Sequence, residues 1–185
     1  VTKLPSIDGS LAQNEWSEAK QVELLYNTYP GDSTPSPVKT TAYMMEDGEN
    51  IYFAFKAYDP EPEKILAFIQ ERDGIYQDDF VGVILDTFND ERKGFEFFVN
   101  PMGSQGDLAI DETKDNSEDA SWNAVWSSAG RVVEDGYIVE MTIPFRALRY
   151  ISNLDIQTWG IQFIRKYPRD SRMNISDRKS DRARD

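Results

Sequence analysis

The stretch that decides the fold is residues 77–105, QDDFVGVILDTFNDERKGFEFFVNPMGSQ. Apolar residues alternate with a second set over residues 81–85, and the alternation returns over residues 95–99 after a polar turn at residues 89–94. Side chains of a β-strand point alternately to opposite faces, so this pattern predicts a β-hairpin with one face in a core. The other face mixes apolar and polar side chains, namely Phe80, Ile84, Phe98, Asp86, Glu96 and Asn100. Such a face can present a shallow ligand-binding surface, or a loop can cover it.

The segments on either side of this hairpin extend the same pattern. Alternation bounded by turns and prolines predicts strands at residues 39–45, 51–58, 137–143 and 159–166, and one more within residues 122–133. Segments rich in Pro, Gly, Asp or Ser are expected to be loops, at residues 27–38 and 103–121. Several strands with little helix predict an all-β fold, an antiparallel β-sandwich with immunoglobulin-like or jelly-roll-like layers and short helical turns.

The composition excludes several classes of function. The chain has 185 residues, no histidine and no cysteine, so it cannot use a Ser-His-Asp triad, a thiolate nucleophile or a zinc site built from those residues. Any metal would need oxygen ligands, which favours calcium or magnesium. The net charge of −13 argues against nucleic acid and anionic membranes as partners.

The domain organisation is predicted to be simple. Residues 1–167 form one sandwich domain, and residues 168–185 form a charged, mobile segment that leads to a region absent from the chain. The first residue is Val1 rather than Met, which suggests a processed protein or a piece of a longer one.

Several short motifs occur in a set order along the chain: Ile7-Asp8-Gly9 with Glu15-Trp16, Asn50-Ile51-Tyr52 with Tyr58-Asp59-Pro60, the hairpin of residues 79–100, Gly136-Tyr137-Ile138-Val139-Glu140 with Ile143-Pro144-Phe145, and Trp159-Gly160-Ile161. In this order they resemble family 9 carbohydrate-binding modules, over about residues 5–167. Arg72-Asp73 and residues 85–90 and 99–103 are similar to the form found at the N-terminus of bacterial envelope proteins, where an outer-membrane β-barrel region often follows.

This resemblance implies a non-catalytic β-sandwich that binds the ends of sugar chains between two tryptophans, often with calcium bound elsewhere. Tyr76 falls at the position of one clamping tryptophan, and residues 174–178 lie near the position of the other. Asn100 matches an asparagine of the hydroxyl-binding strand. Gly82 stands where sugar binders carry an acidic residue, and Phe98 stands where they carry an arginine, so two charged groups of the usual site are missing.

The candidate ligand-binding residues are Arg72, Tyr76, Asp79, Phe98, Asn100 and Trp122. Arg72, Asp78, Asp79 and Asn100 are expected to converge at one end of the hairpin, where arginine and carboxylates could hold vicinal hydroxyls. The alternative is an internal ion pair between Arg72 and Asp79 that fixes the loop.

Aromatic and polar residues elsewhere complete the expected site. Tyr76 and Trp122 lie in polar loop sequence and are candidates for exposed stacking rings, whereas Trp126 and Trp159 are expected to be core. Lys56, Gln162 and Lys166 are expected on the same face.

Loop carboxylates are the candidate metal ligands. Asp59, Asp73 and Asp78 are the side chains proposed to hold Ca²⁺, although their spacing does not match an EF-hand loop. The alternative is that these carboxylates belong to a solvated acidic surface.

The function predicted from these observations is carbohydrate binding. The expected partners are an oligo- or polysaccharide and the remainder of the same polypeptide. The module is expected to be a monomer in the bacterial periplasm or cell envelope, where it would target a larger envelope or glycan-degrading protein to polysaccharide. The first alternative is a structural or protein-interaction module that has lost the sugar site. The second is a glycoside hydrolase, although nothing in the sequence selects a pair of catalytic carboxylates.

Overall fold

Antiparallel strands make up the body of the chain, which a computed structural model describes over residues 4–12, 14–30, 33–151, 156–169 and 172–180. Within these residues the strands are, in chain order, β1 (Lys20–Glu23), β2 (Tyr26–Tyr29), β3 (Thr34–Pro35), β4 (Thr40–Glu46), β5 (Asn50–Tyr58), β6 (Phe80–Asp86), β7 (Lys93–Val99), β8 (Gln105–Asp111), β9 (Glu118–Asp119), β10 (Ser127–Val133), β11 (Gly136–Pro144), β12 (Gly160–Tyr167) and β13 (Met173–Ser176). Short 3-10 turns occur at Pro62–Lys64, Ile75–Gln77 and Phe145–Ala147. None of the helical segments in the described part of the chain is long and apolar enough to cross a membrane.

The strands form two sheets that pack face to face. The smaller sheet has five strands in the order β1-β4-β5-β11-β10, and the larger has eight in the order β3-β2-β13-β12-β6-β7-β8-β9. The predicted antiparallel β-sandwich is therefore confirmed. Both layers are amphipathic, and burying their apolar faces against each other contributes about 25 cal/mol per Å² of apolar surface removed from water.

The predicted hairpin is β6–β7, and its alternation places one face in the core. Val81, Val83 and Leu85 pair with Val99, Phe97 and Phe95, and none of the six is more than 6% exposed. These side chains belong to the main core together with Phe53, Phe55 and Val139 of the smaller sheet. The period-two prediction therefore identified the inward face correctly.

Two segments expected to be loops contain strands. Residues 27–38 include part of β2 and all of β3, and residues 103–121 include β8 and β9. Strand β8 has polar residues at inward positions, because Asp107 pairs with Phe97 across the sheet. The buried Asp107 carboxylate accepts hydrogen bonds from Arg72 Nη1 at 2.5 Å and from the Ala124 N–H at 2.7 Å. These partners compensate for the burial of the carboxylate. A polar residue at an inward position interrupts the apolar alternation, so the strand resembles a loop in the sequence.

The expected domain boundary at residue 167 is too early. Strand β13 lies beyond it, pairs with both β12 and β2, and buries Ile175 and Ser176 completely. One buried isoleucine in a run of charged residues is too little apolar periodicity to indicate a strand, so the segment was predicted to lie outside the sandwich. The structure places it within the larger sheet.

The outer face of the smaller sheet is sealed by the N-terminal segment. Trp16 is 4% exposed, and it packs with Met45, Tyr52 and Ala54 outside the sheet rather than between the two sheets. The buried carboxylate of Glu140 holds this segment: it accepts hydrogen bonds from Trp16 Nε1 at 2.8 Å and from the N–H groups of residues 8, 9 and 10 at 2.9, 2.8 and 3.3 Å. We call this surface the sealed face.

Candidate ligand-binding face

The outward face of the larger sheet carries the second set of alternating side chains. They stand in three cross-strand rows, Phe80–Lys166–Asn174, Phe98–Gly82–Ile164–Ser176 and Leu108–Glu96–Ile84–Gln162. We call this set the open face. No segment comparable to residues 7–19 packs over its centre in the described residues, and Ile84, Ile164, Gln162 and Glu96 are all partly accessible to solvent.

The middle of the open face is apolar. Ile84 and Ile164 pack against Phe80 and Phe98, which are almost fully buried beneath the 3-10 turn that carries Ile75. Tyr76, in the middle of this turn, makes edge-to-face contacts with Phe80 and Phe98 at centroid distances of 6.2 and 6.4 Å. The sequence left two alternatives for this face, an open surface or one covered by a loop. Each is realised in part, because the turn covers one side and leaves the isoleucines accessible.

Gly82 and Phe98 form one packed unit. They are cross-strand partners, and a Cβ atom on Gly82 would lie 2.6 Å from Phe98 Cδ1 and 2.0 Å from the Phe97 carbonyl oxygen. The absence of a side chain at position 82 therefore allows the Phe98 ring and the neighbouring strand to approach closely. Phe98, a predicted ligand-binding residue, is only 5% exposed. Its ring therefore packs within the face rather than presenting a surface to a ligand.

Asn100 is committed to the protein. Its Nδ2 donates to the Phe68 carbonyl at 2.7 Å and to Asp78 Oδ2 at 2.8 Å, and its Oδ1 accepts from the N–H groups of Met102 and Ser104. The side chain is fully buried and its hydrogen-bonding groups are all used. Asn100 thus fixes the turn after β7, and it cannot reach a ligand hydroxyl without breaking these bonds.

Arg72 and Asp79 do not pair with each other, so the alternative ion pair is wrong. Arg72 bonds to Asp107 and to the Ala124 carbonyl, whereas Asp79 Oδ2 accepts from the Leu66 N–H at 2.8 Å and from Arg169 Nη1 at 3.0 Å. Burial raises the pKa of Asp79 above its ordinary value, although Arg169 opposes that shift. The expected convergence at one end of the hairpin holds for Asp78 and Asn100, but Arg72 and Asp79 have separate internal partners.

The three candidate metal ligands are also engaged separately. Asp59 forms an ion pair with Arg169, Asp73 Oδ1 accepts from the Asp107 N–H at 2.9 Å, and Asp78 bonds to Asn100. Over the described ranges, no group of three or more acidic residues has the geometry to hold a metal ion. The residues present at these positions therefore do not fit Ca²⁺.

The polar end of the open face lies along β12 and β13. Lys166 Nζ donates to Asn174 Oδ1 at 2.9 Å, and Gln162 Nε2 donates to Ser176 Oγ at 3.0 Å. Burial, and then the nearby charge of Arg172, lowers the pKa of the Lys166 ammonium. Gln162 and Lys166 lie on this face as predicted, but Lys56 lies on the smaller sheet, where it pairs with Asp135.

The β7 side of the open face carries a carboxylate that has no partner among the described residues. Glu96 is partly buried, and it makes no hydrogen bond or ion pair with any residue that the structure describes. Burial, together with the nearby negative charge of Glu118, raises the pKa of Glu96 to about 7. The neighbouring Tyr76 hydroxyl is buried without a partner among the described residues, and burial followed by the charge of Asp73 raises its pKa to about 12. Of the two groups, the partly accessible Glu96 carboxylate is the one that can bond to an added molecule.

Trp122 lies away from the open face. Its ring stacks on Phe95 at a centroid distance of 4.6 Å and meets Phe97 edge to face at 5.8 Å, and both phenylalanines point inward. It is partly exposed at one end of the sandwich, whereas Trp126 is core as predicted and Trp159 packs against the core from the edge. The structure therefore does not bring Trp122 and Tyr76 to one site.

Sequence reasoning did not select Glu96, Ile164 or Asn174 as site residues. Ile164 lies on the same face of β12 as Gln162 and Lys166, so the alternation could have indicated it. However, the next residue, which points inward, is the fully buried Arg165. A charged residue on the inward side hides which face of the strand is buried. Glu96 was noted as outward-facing, but nothing in the sequence shows that it lacks a partner.

Comparisons with known proteins agree with this architecture. The profile of the family described as carbohydrate family 9 binding domain-like matches residues 7–181. A solved structure of a family 9 carbohydrate-binding module from Caldicellulosiruptor kristjanssonii in complex with glucose is 18% identical, with a TM-score of 0.59 over 93% of this chain and 80% of that one. Its complex with cellotriose is 19% identical, with a TM-score of 0.58 over 93% and 78% of the two chains.

A protein from Bacteroides uniformis ATCC 8492 is similar at a greater sequence distance. It is 14% identical, with a TM-score of 0.64 over 85% of this chain and 76% of that chain. A search of curated proteins finds no match.

Proposed function

Because the chain belongs to the carbohydrate family 9 binding domain-like family, we propose that it is a non-catalytic module that binds oligo- or polysaccharide on the open face. The observation that carries the proposal is that the accessible side chains of Ile84 and Ile164 lie on the neighbouring strands β6 and β12, with Glu96 of β7 on one side and the polar side chains of β12 and β13 on the other. Sugars have apolar C–H faces and a rim of hydroxyl groups, so they need both kinds of surface.

The dimensions of the open face suit a short sugar chain. Gln162 and Lys166 are four residues apart on one strand, so these two polar residues lie about 13 Å apart at 3.3 Å per residue. That distance accommodates more than one sugar ring. Structures of similar fold have been solved with glucose and with cellotriose, and this supports glucose-containing oligosaccharides as the first ligands to test.

Each part of the face has a separate role in the proposal. Ile84, Ile164 and the edge of Tyr76 cover the C–H face of a ring, and the Glu96 carboxylate accepts hydroxyl protons. Lys166 and the amides of Gln162 and Asn174 bond to hydroxyls on the β12–β13 side, across β6 from Glu96. Without a pair of clamping tryptophans the contact is one-sided, so the expected affinity is lower than a ring sandwiched between two indoles would give.

Titration calorimetry with glucose, cellotriose and a panel of other oligosaccharides tests the proposal. We expect heat from at least one oligosaccharide, and we expect Lys166→Ala to weaken its binding at least tenfold because a charge-assisted hydrogen bond is lost. Lys56→Ala is the matched control, since Lys56 is also on an outer face but on the smaller sheet. Absence of heat at millimolar sugar, or equal losses for the two lysine variants, would contradict the proposal.

The finer role that we propose is targeting: the module would hold a larger envelope protein, in the periplasm or at the outer membrane, close to its glycan. The resemblance of residues 72–73, 85–90 and 99–103 to modules of envelope proteins supports this role. Fractionation of cells that express the full-length gene product tests it. Recovery of the protein in the envelope fraction, lost on deletion of residues 7–181, is the expected result.

A second candidate function is favoured by the packing of Phe98 over Gly82. The modules that the sequence resembles carry two charged groups at these positions, and here an apolar ring is packed over a glycine. The open face could therefore contact protein instead of sugar. The module would then bind the remainder of its own polypeptide. Co-purification of the separated halves, together with no response to the sugar panel, would favour this alternative.

A further inference from the structure

A cavity of about 370 Å³ lies at one end of the sandwich, away from the open face. The turn after β6, the loop after β8 and the segment around Arg149 form its walls. Three aromatic side chains line it, Phe88, Phe95 and Trp122. Trp122 is partly exposed, with one face on Phe95, and its Nε1 donates no hydrogen bond within the described part of the chain. The cavity therefore offers a flat aromatic wall and an indole N–H.

Two cations at the rim have no acidic partner among the described residues. The exposed side chains of Lys93 and Arg149 both line the cavity, and neither forms an ion pair or hydrogen bond with another residue whose position is described. The two acidic side chains in the lining are occupied otherwise. Asp111 bonds to Thr113 and pairs with Lys114 at 3.3 Å, and Asp119 accepts two hydrogen bonds from Ser121. The positive charges are thus the available ones in a chain of net charge −13.

From these features we infer that the cavity binds one carboxylated sugar unit, a hexuronate at the end or on a branch of a glycan. The aromatic wall covers the C–H face of the ring, and the guanidinium of Arg149 with the ammonium of Lys93 binds the carboxylate. Cavities that bind small molecules start at about 300 Å³, so this one is sized for a single ring rather than a chain. The inference shares its class of ligand with the proposed function, but it concerns a different site.

A bare anion does not need this arrangement. Inorganic anions and acetate would gain only from the two cations, whereas a neutral sugar would gain only from the aromatic wall. A hexuronate uses both, and this predicts which of three matched probes binds. Glucuronate has the ring and the carboxylate, glucose has the ring without the carboxylate, and acetate has the carboxylate without the ring.

Titration of the whole chain with the three probes, followed by tryptophan fluorescence and calorimetry, tests the inference. We expect glucuronate to bind at least tenfold more tightly than glucose or acetate at the cavity. Arg149→Gln and Lys93→Gln are expected to weaken glucuronate binding at least tenfold each and to leave the fold intact, because both side chains are exposed. Arg146→Gln is the control, since Arg146 is exposed on the same segment but does not line the cavity.

Two further variants separate this site from the open face. Trp122→Phe keeps an aromatic ring on Phe95 and removes the ligand-dependent fluorescence change if the cavity is the site. Lys166→Ala leaves glucuronate binding unchanged if the two sites are separate. The inference is wrong if acetate binds as tightly as glucuronate, if Arg149→Gln has no more effect than Arg146→Gln, or if Lys166→Ala removes glucuronate binding. Loss of oligosaccharide binding alone would contradict the proposed function and leave this site standing.

Discussion

Two glutamates, Glu140 and Glu96, point outward from the two sheets and meet opposite conditions. On the sealed face, Glu140 is fully buried and accepts hydrogen bonds from Trp16 Nε1 and three backbone N–H groups. On the open face, Glu96 is partly buried and is bonded to none of the residues described by the structure. A buried acceptor that already has its donors holds the protein together, whereas one without them is available to a ligand.

The same contrast appears in two tyrosines. Tyr52 on the sealed face donates a hydrogen bond from its hydroxyl to Asp47 Oδ2 at 2.7 Å, but the buried hydroxyl of Tyr76 beside the open face has no partner among the described residues. Both sheets therefore have amphipathic outer faces, and these two pairs of residues differ in whether their polar groups are satisfied within the described part of the chain.

The largest expected effect tests how closely the open face is packed. Gly82→Ala places a methyl group within 2.0 Å of the Phe97 carbonyl oxygen, so the strand pair must shift, at a cost of about 3 kcal/mol of unfolding free energy. Chemical denaturation measures the change. Gly160→Ala on the same sheet is the control, because its added Cβ would come no closer than 3.1 Å to the Asp86 side chain. Equal losses for the two variants would show that the face is not tightly packed at Gly82.

The next effect concerns the sealed face. Glu140→Ala removes the acceptor that holds residues 8–10 and Trp16, and the expected loss of unfolding free energy is about 2 kcal/mol because charge-assisted hydrogen bonds in a buried site are broken. Denaturation followed by tryptophan fluorescence measures it. Glu134→Ala, at an exposed position of the turn before β11, should have an effect within about 0.5 kcal/mol of zero. A wild-type stability for Glu140→Ala would mean that the N-terminal segment is held by packing alone.

The pH dependence of stability separates the two glutamates further. The pKa of Glu96 is raised to about 7 in the folded chain, so the folded state retains a proton that the unfolded state releases nearer pH 4.5. Stability from this group is therefore present below pH 4.5 and is lost as the pH rises towards and through 7. Glu96→Gln should be more stable than the wild type by about 1 kcal/mol at pH 8, a value reduced for solvent screening, and equal to it at pH 4.5.

Unfolding free energies of the wild type and the variant at the two pH values check this prediction. Taking the difference between the two proteins at each pH cancels the contributions of the other acidic residues. Glu118→Gln is the comparison variant: Glu118 is exposed and its charge is the smaller cause of the raised pKa of Glu96, so this change should alter the pH dependence less than Glu96→Gln does. A difference between wild type and Glu96→Gln that does not change with pH would contradict the raised pKa.

The smallest effect uses the tyrosine pair. Tyr52→Phe should cost about 1 kcal/mol because it removes a made hydrogen bond, whereas Tyr76→Phe should be neutral or slightly stabilising because it removes a buried hydroxyl that has no partner. Thermal and chemical unfolding of both variants measure the contrast. A loss for Tyr76→Phe equal to that for Tyr52→Phe would show that the Tyr76 hydroxyl is satisfied in solution.

The alternation of apolar residues was sufficient to predict the strands with regular inward faces. It identified Val81, Val83 and Leu85 as core and predicted the class of fold. It failed in β8, and it hid the inward face of β12, because Asp107 and Arg165 are charged residues whose partners come from distant parts of the chain. Tertiary ion pairs of this kind leave no local signal in a sequence. It also failed in β13, where Ile175 alone gives too little apolar periodicity.

The candidate site was harder to predict for a related reason. Arg72, Asp79 and Asn100 have the side chains of a sugar-binding site, but each one is bound to other groups of the protein. Residue type shows what a group can bond to, whereas only the folded chain shows whether the bond is already made. The amphipathic character of the β6–β7 hairpin was therefore the better guide.

Strand β13 has a practical consequence for any attempt to shorten the chain. It fills the place between β12 and β2, so a fragment that stops at residue 167 would leave two facing strand edges with unpaired backbone groups in the middle of the larger sheet. Such edges are templates for intermolecular strand addition, and the truncated product is expected to self-associate and precipitate rather than remain a smaller working unit.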